Sequence, residues 1–263
     1  MRTRKQPWNR PLGLLVYNQE SYVSAKLLAK LLDLKPIKND FTITHLSKSF
    51  PIKIRYGNSH CRQNKDTKYN SVNTILLCSN SLEFSSFCQK NDIISPIYTP
   101  FSSGKLIQEF PILVRKKYHR AGKDIIIIRS KEELIKSVNK KFYERYWVPF
   151  IETEYEIRLH YILGNTEKIF LKQPTTNTNL EFPIRSSAFG WHYNLQANND
   201  ENRYKQAKEL AKEVATKIGL SFGAFDMAWS KKLKKYIIWE INTAPGLNEN
   251  TAQIYADRLT KIL

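Results

Sequence analysis

Two hydrophobic periods alternate along this chain. Residues 13–17 (GLLVY) form a continuous apolar run of strand length, whereas in residues 21–32 (SYVSAKLLAKLL) the apolar positions recur every three to four residues. A short unbroken run predicts a buried strand and the 3.6-residue period predicts a helix packed against it, so the chain opens as a βα unit. The same reading predicts strands at 52–56 (IKIRY) and 74–78 (TILLC), and a helix from Ser81 to about Lys90 with a break at Pro96. Residues 1–95 read as a small α/β lobe.

Beyond Pro111 the pattern changes. Residues 112–115 and 124–128 are apolar runs on either side of a polar loop containing Gly122, which predicts an antiparallel pair. Ser130 with Glu133 three residues later is a capping box, and Leu134 and Val138 supply the apolar stripe of the helix it starts. WVPFIETEYEIRLHYIL, from Trp147, and NTEKIFLKQP predict a second pair joined at Gly164 and Asn165. From about Glu201 to Ile218 the residues Tyr204, Ala207, Ala211, Val214 and Ile218 share one helical face, and Gly219 stands where a left-handed cap belongs. Two strands, FGAFDMAW and YIIWEIN, flank the lysine-rich SKKLKK, and residues 250–263 close as a helix. Three blocks result, 1–95, 96–146 and 147–263, with no internal repeat.

The chain has 263 residues, 41% of them hydrophobic and 12% aromatic, with only 9 Gly and 11 Pro, which excludes disordered and fibrous classes and leaves a folded enzyme as the default. No apolar run reaches the roughly 18 residues that cross a bilayer, and the basic N-terminus carries too short an apolar stretch for an export signal. Cys61, Cys78 and Cys88 are odd in number and lack C-x-x-C spacing, so neither a disulfide framework nor a structural zinc is expected, and a reducing, cytoplasmic compartment follows. The charge changes the picture more: 42 Lys+Arg against 24 Asp+Glu gives 42 − 24 = +18. Such a surface draws polyanions, whether nucleotide phosphates, an acidic polypeptide or nucleic acid, unless it serves solubility alone.

The chemistry concentrates in FGAFDMAWSKKLKKYIIWEINTAPGL, residues 222–247. If this hairpin turns about Leu233, Asp226 lies opposite Glu240, and the two-residue period puts Asn242 on the same face. Two carboxylates and an amide oxygen between apolar strands repel and are poorly solvated unless a cation sits among them. A hard divalent ion that shares its shell with phosphate oxygens, as Mg²⁺ does, fits that donor set. The plainer alternative is a solvent-facing polar stripe on an edge hairpin. A Ser-His-Asp or Cys-His arrangement, a G-x-x-x-x-G-K-[ST] loop and a G-x-G-x-x-G turn are all absent from the sequence.

WEINTAPGL after GAFDMAW resembles the closing metal-binding motif of the ATP-grasp superfamily, in which an aspartate, a glutamate and an asparagine hold two Mg²⁺ ions on ATP. PILVRKKYHRAGKDIII resembles the strand, loop and strand that cover the triphosphate there, and WVPFIETEYEIRLHYILGN the adenine-binding linker with its E-x-R strand. The resemblance spans about residues 95–263 and is nearest to carboxylate-amine ligases related to ribosomal-protein glutamate ligases, including phage-encoded members. It implies an α/β fold with a small N-terminal α/β lobe, a central lid lobe and a C-terminal antiparallel-sheet lobe, ATP lying between the last two. The implied activity is ATP-dependent amide formation through an acyl phosphate, in the cytoplasm, or the host cytoplasm if phage-encoded.

The resemblance also implies roles. Asp226, Glu240 and Asn242 would hold two Mg²⁺ or Mn²⁺ ions, with Glu240 bridging. Arg115 stands where most members place a phosphate-binding lysine, and Lys116 or Lys117 is the alternative. His119 and Gly122 belong to the lid over the phosphates. The adenine would lie against Trp147, Val148, Phe150 and Ile151, hydrogen-bonded mainly to backbone, with Glu152 or Glu154 on the ribose. Arg158 would stabilise the γ-phosphate or acyl phosphate, and Lys172 and Arg185 the acyl substrate or its oxyanion. The substrates would be a small-molecule or peptide carboxylate and an amine. Two other readings stay open: a nucleic-acid-associated protein using Arg2, Arg4, Lys5, Arg10, Lys231, Lys232, Lys234 and Lys235, and a non-catalytic nucleotide-binding module.

Overall fold

The computed structural model describes residues 13–18, 21–38, 52–57, 69–116, 125–137, 144–176, 178, 184–195 and 201–261. The N-terminal arginines, Lys5, Cys61, Lys117, His119 and Gly122 lie outside the described residues.

The opening apolar run is β1 (Leu14–Tyr17), central in a parallel sheet between β2 (Lys35–Lys38) and β3 (Ile52–Tyr56). A central parallel strand is covered on both faces, which is why all four of its residues are apolar and buried. The helix α1 (Tyr22–Leu31) connects β1 to β2 and buries Ala25, Leu28 and Ala29.

Residues 74–78, expected as a strand, belong instead to the helix α2 (Val72–Ser79). The apolar run fits either state, and the caps decide: Ser71 accepts from the Thr74 N–H, and Asn80 accepts from Leu82 and Glu83 at the start of α3 (Ser81–Lys90). Phe84 and Cys88 of α3, with Ile93, join the hydrophobic core of the C-terminal sheet, although they precede residue 95.

A four-stranded antiparallel sheet follows in the order β4 (Thr99–Pro100), β7 (Arg145–Pro149), β5 (Ile112–Lys116), β6 (Ile126–Ile128). Its Ile112, Val114 and Ile128 pack against Leu134 of α4 (Lys131–Ser137). In the capping box, Ser130 Oγ accepts from the Glu133 N–H at 3.2 Å and the Glu133 carboxylate accepts from the Arg129 N–H.

The largest sheet has the antiparallel order β10 (Trp191–Leu195), β9 (Asn165–Pro174), β8 (Tyr155–Ile162), β11 (Phe222–Ser230), β12 (Lys235–Asn242). One face buries Ile157, Leu159, Phe225 and Met227 under α5 (Glu201–Ile218), whose Ala207, Ala211 and Val214 fill the stripe expected of it, and Gly219 ends it at φ 64°. Among the described residues, the other face is covered at one end only, where Ile162 and Phe222 meet Leu15 of β1 and Tyr255 and Leu259 of α6 (Glu249–Thr260). No helix among the described residues is long and apolar enough to cross a membrane.

Candidate active site

The uncovered part of that second face carries the polar residues. β8 presents Glu156 and Arg158 there because Ile157 and Leu159 take the core side. β11 adds Asp226 directly across from Arg158, and β12 adds Glu240 across from Asp226 and Asn242 across from Ala224. The Asp226–Glu240 pairing expected from the sequence holds, but by another route. Ser230 pairs with Lys235 and Met227 with Ile238, so the turn is centred between Lys232 and Leu233. Trp239 is then an extra residue, a β-bulge, and it restores Glu240 to its place opposite Asp226.

Two ion pairs form among the described residues of this cluster. Arg158 donates from Nε and Nη2 to the two carboxylate oxygens of Asp226, each at 2.7 Å, and Lys172 of β9 donates to Glu156 at 2.8 Å. Tyr193 of β10 underlies both cations, its ring centre 4.3 Å from the Arg158 guanidinium carbon and 5.1 Å from the Lys172 ammonium. Burial alone would raise the Asp226 pKa, but the Arg158 charge and hydrogen bonds overcome it and hold the group below its ordinary value. Glu240 goes the other way: although its side chain is exposed along the cleft, desolvation and then the Asp226 charge push it up to about 7. His160 is no candidate base, because burial lowers its pKa to about 3 and its Nδ1 is 2.9 Å from the Tyr255 hydroxyl.

The four-stranded sheet faces this cluster. Arg115 pairs with Tyr146 and shares a face with Leu113 and Val148; Tyr98, Arg115 and Tyr146 all interact with the Glu240 charge. Lys116 is one residue out of phase, on the face of Val114, so among the described residues of the strand Arg115 is the cation turned toward Glu240. The Trp147 side chain also points away, packing with Ile112, Val114 and Ile128. Val148 is buried, Phe150 and Ile151 are half-buried, and Glu152 and Glu154 are exposed. Glu154 lies 3.6 Å from Lys231. Arg185, expected beside the acyl substrate, donates to the carbonyls of Thr153 and Glu154 at 2.9 and 3.0 Å and stacks on Trp191, so it braces the linker.

Behind Asn242 the chain is held firmly. Asn242 Oδ1 accepts from the Ala244 N–H at 2.9 Å, the Tyr56 hydroxyl donates to the Pro245 carbonyl, and the Leu247 N–H donates to Ser24 Oγ at 2.8 Å. Asn242 keeps a second lone pair for a metal. No group of three or more His, Cys, Asp or Glu able to hold a metal occurs among the described residues. The donors at this site are two carboxylates and an amide, a hard oxygen set that fits Mg²⁺ when phosphate oxygens complete the shell. Tyr193, Tyr98 and Tyr56 were missed from sequence: tyrosine carries no motif, and β10 and β4 were not foreseen as strands.

Family models and curated sequences give no match to this chain. Solved structures do. The D-alanine–D-alanine ligase from Bacillus anthracis superposes with a TM-score of 0.69 at 12% identity, covering 95% of this chain and 96% of its own, and its complex with ATP gives 0.67 at 12%, covering 95% of each chain. The macrocyclase MdnC bound with precursor peptide MdnA, from Microcystis aeruginosa, gives 0.59 at 13% identity, covering 95% of this chain and 99% of that one.

Proposed function

Because the chain has the ATP-grasp fold, we propose that it is an ATP-dependent carboxylate-amine ligase, forming an amide through an acyl phosphate and releasing ADP and phosphate. The observation that carries this reading is the cleft hairpin, with Asp226 opposite Glu240 and Asn242 on the same face, approached by Arg115 from the facing sheet. ATP would lie between the two antiparallel sheets, its adenine against the backbone of residues 147–151. Asp226, Glu240 and Asn242 would hold two Mg²⁺ or Mn²⁺ ions, which supply charge neutralisation on the phosphate oxygens. Arg115 would bind the phosphates in the usual lysine position, bidentately.

The chemistry left to the chain is positioning. A substrate carboxylate takes the γ-phosphoryl group, and an amine then displaces phosphate from the acyl phosphate, which requires aligned reactants and fixed positive charge more than a protein nucleophile. Arg158 and Lys172 are the cations on the cleft face that would meet the phosphoryl and acyl oxygens. Arg185 would act through the linker it braces. The precursor peptide bound by the macrocyclase and the net charge of +18 both favour a peptide carboxylate as substrate here, with an acidic polypeptide as partner.

Calorimetry tests the reading: the folded protein should bind Mg·ATP and release ADP when supplied with amino acids or acidic peptides. No heat at millimolar Mg·ATP would remove it.

A further inference from the structure

Asp226 is already engaged. Both of the oxygens that a divalent cation would take accept hydrogen bonds from Arg158, in the bidentate geometry that makes guanidinium–carboxylate pairs strong. The pair is sheltered, its two side chains 19% and 10% exposed, and enclosure strengthens the attraction. Arg158 also rests on the Tyr193 ring, which carries Lys172 as well, and Lys172 is neutralised by Glu156. The guanidinium thus has a second favourable contact that does not involve Asp226.

We propose that Arg158 is the resident counter-ion of the metal subsite: it holds Asp226 until a metal-bound triphosphate replaces it, and the face of Tyr193 retains the guanidinium once Asp226 is given up. The identity of the incoming group rests on the ligase reading above; the competition itself concerns only Asp226, Arg158 and a hard cation. A free divalent ion must separate a bidentate ion pair to use Asp226, and it leaves Arg158 facing added positive charge. A metal arriving on a triphosphate brings anionic oxygens that Arg158 takes in exchange. The site therefore favours the metal–nucleotide complex over the free ion.

The test is Mn²⁺ binding to nucleotide-free protein, followed by the electron paramagnetic resonance signal of the free ion at mildly alkaline pH. Arg158→Met, which keeps the length and removes the charge, should bind Mn²⁺ about tenfold more tightly than the parent, one pKa unit's equivalent of released competition. Adding Asp226→Asn to it should abolish that gain. Equal or weaker binding by folded Arg158→Met overturns the proposal, and so does a gain that survives Asp226→Asn. If Arg158→Met does not fold, Arg158→Lys gives the same comparison, because one ammonium cannot span both oxygens; a smaller gain supports the proposal and no gain overturns it. Mg·ATP calorimetry on the parent is a separate measurement, so loss of the ligase reading would leave the Mn²⁺ result standing.

Discussion

Asp226 and Glu240 are carboxylates facing one another with opposite electrostatic fates, and the difference is Arg158. Asp226 has the guanidinium and stays ionised; Glu240 meets desolvation and the Asp226 charge, with Arg158 and Arg115 opposing only in part. The sign of the pH dependence follows. A folded-state pKa raised from 4.5 to about 7 contributes stability below the lower value that is lost as pH rises through the higher one. Asp226, lowered from 3.8, acts only at more acidic pH. The metal-free parent should therefore melt progressively lower between about pH 5 and pH 7 relative to Glu240→Gln, in which the group does not titrate. Parallel melting curves across that range would contradict it. The same variant should lose turnover, at least a hundredfold on the scale of lost charge stabilisation, while retaining its fold. Tyr193 separates differently: Tyr193→Leu removes the ring under Arg158 and Lys172 and should weaken Mg·ATP binding several-fold, about 1 kcal/mol, whereas Tyr193→Phe keeps it. Equal affinities for the two variants, measured by calorimetry, would show that the ring has no such role.

At the level of elements, what the sequence made legible was whatever depends on local period or on a cap. β1, α1, β3, α3, β8, β9, α5 and the β11–β12 pair follow from runs, stripes and turn residues, and so does the opposition of Asp226 to Glu240. The bulge at Trp239 was not visible, because a two-residue period counts positions and cannot see one skipped. β10 was missed because WHYNL mixes polar and aromatic residues, and Tyr193 went with it. The packing of Trp147 against Ile112, Val114 and Ile128 was not visible either, because sequence order alone does not say which face of β7 turns inward. Arg185 read as a substrate cation because its backbone partners, Thr153 and Glu154, are some thirty residues away. Long-range polar ties of that kind also fix β11. Asn70, buried and at φ 53°, accepts from the Ser221 and Phe222 N–H groups and donates to the Phe222 carbonyl at 2.9 Å. Asn70→Ala would leave those backbone groups unpaired in the interior and should cost about 2 kcal/mol or more, read from urea unfolding. A loss below half that would mean that water replaces the amide.

For the whole molecule, the N-terminal sheet matters because it backs the turn that follows Asn242. Gly57, at φ 66°, sits so close to the 242–247 turn that an added Cβ would lie 2.7 Å from the Ala244 Cβ, which binds that sheet sterically to Asn242. The surface raises a different question, since a nucleotide site needs only a few cations and the chain carries a net +18. Lys231, Lys232, Lys234 and Lys235 are exposed at the β11–β12 turn, and the Lys231–Glu154 contact at 3.6 Å, with Lys231 77% exposed, is too solvated to neutralise them. If the substrate is presented on an acidic polypeptide, these lysines are placed to hold it, and they should release counter-ions when they do. Polyglutamate is then expected to bind with an affinity that falls steeply with salt. Replacing the four lysines by alanine should flatten the logarithmic salt slope, by up to about 3.6 units if the polyanion were duplex DNA, where each neutralised phosphate contributes about 0.9. A salt titration of the parent and the four-alanine variant, with polyglutamate and with duplex DNA, separates the outcomes. Parallel slopes would exclude the turn as the contact, preference for DNA would shift the partner to nucleic acid, and no binding at low salt would leave the charge a matter of solubility.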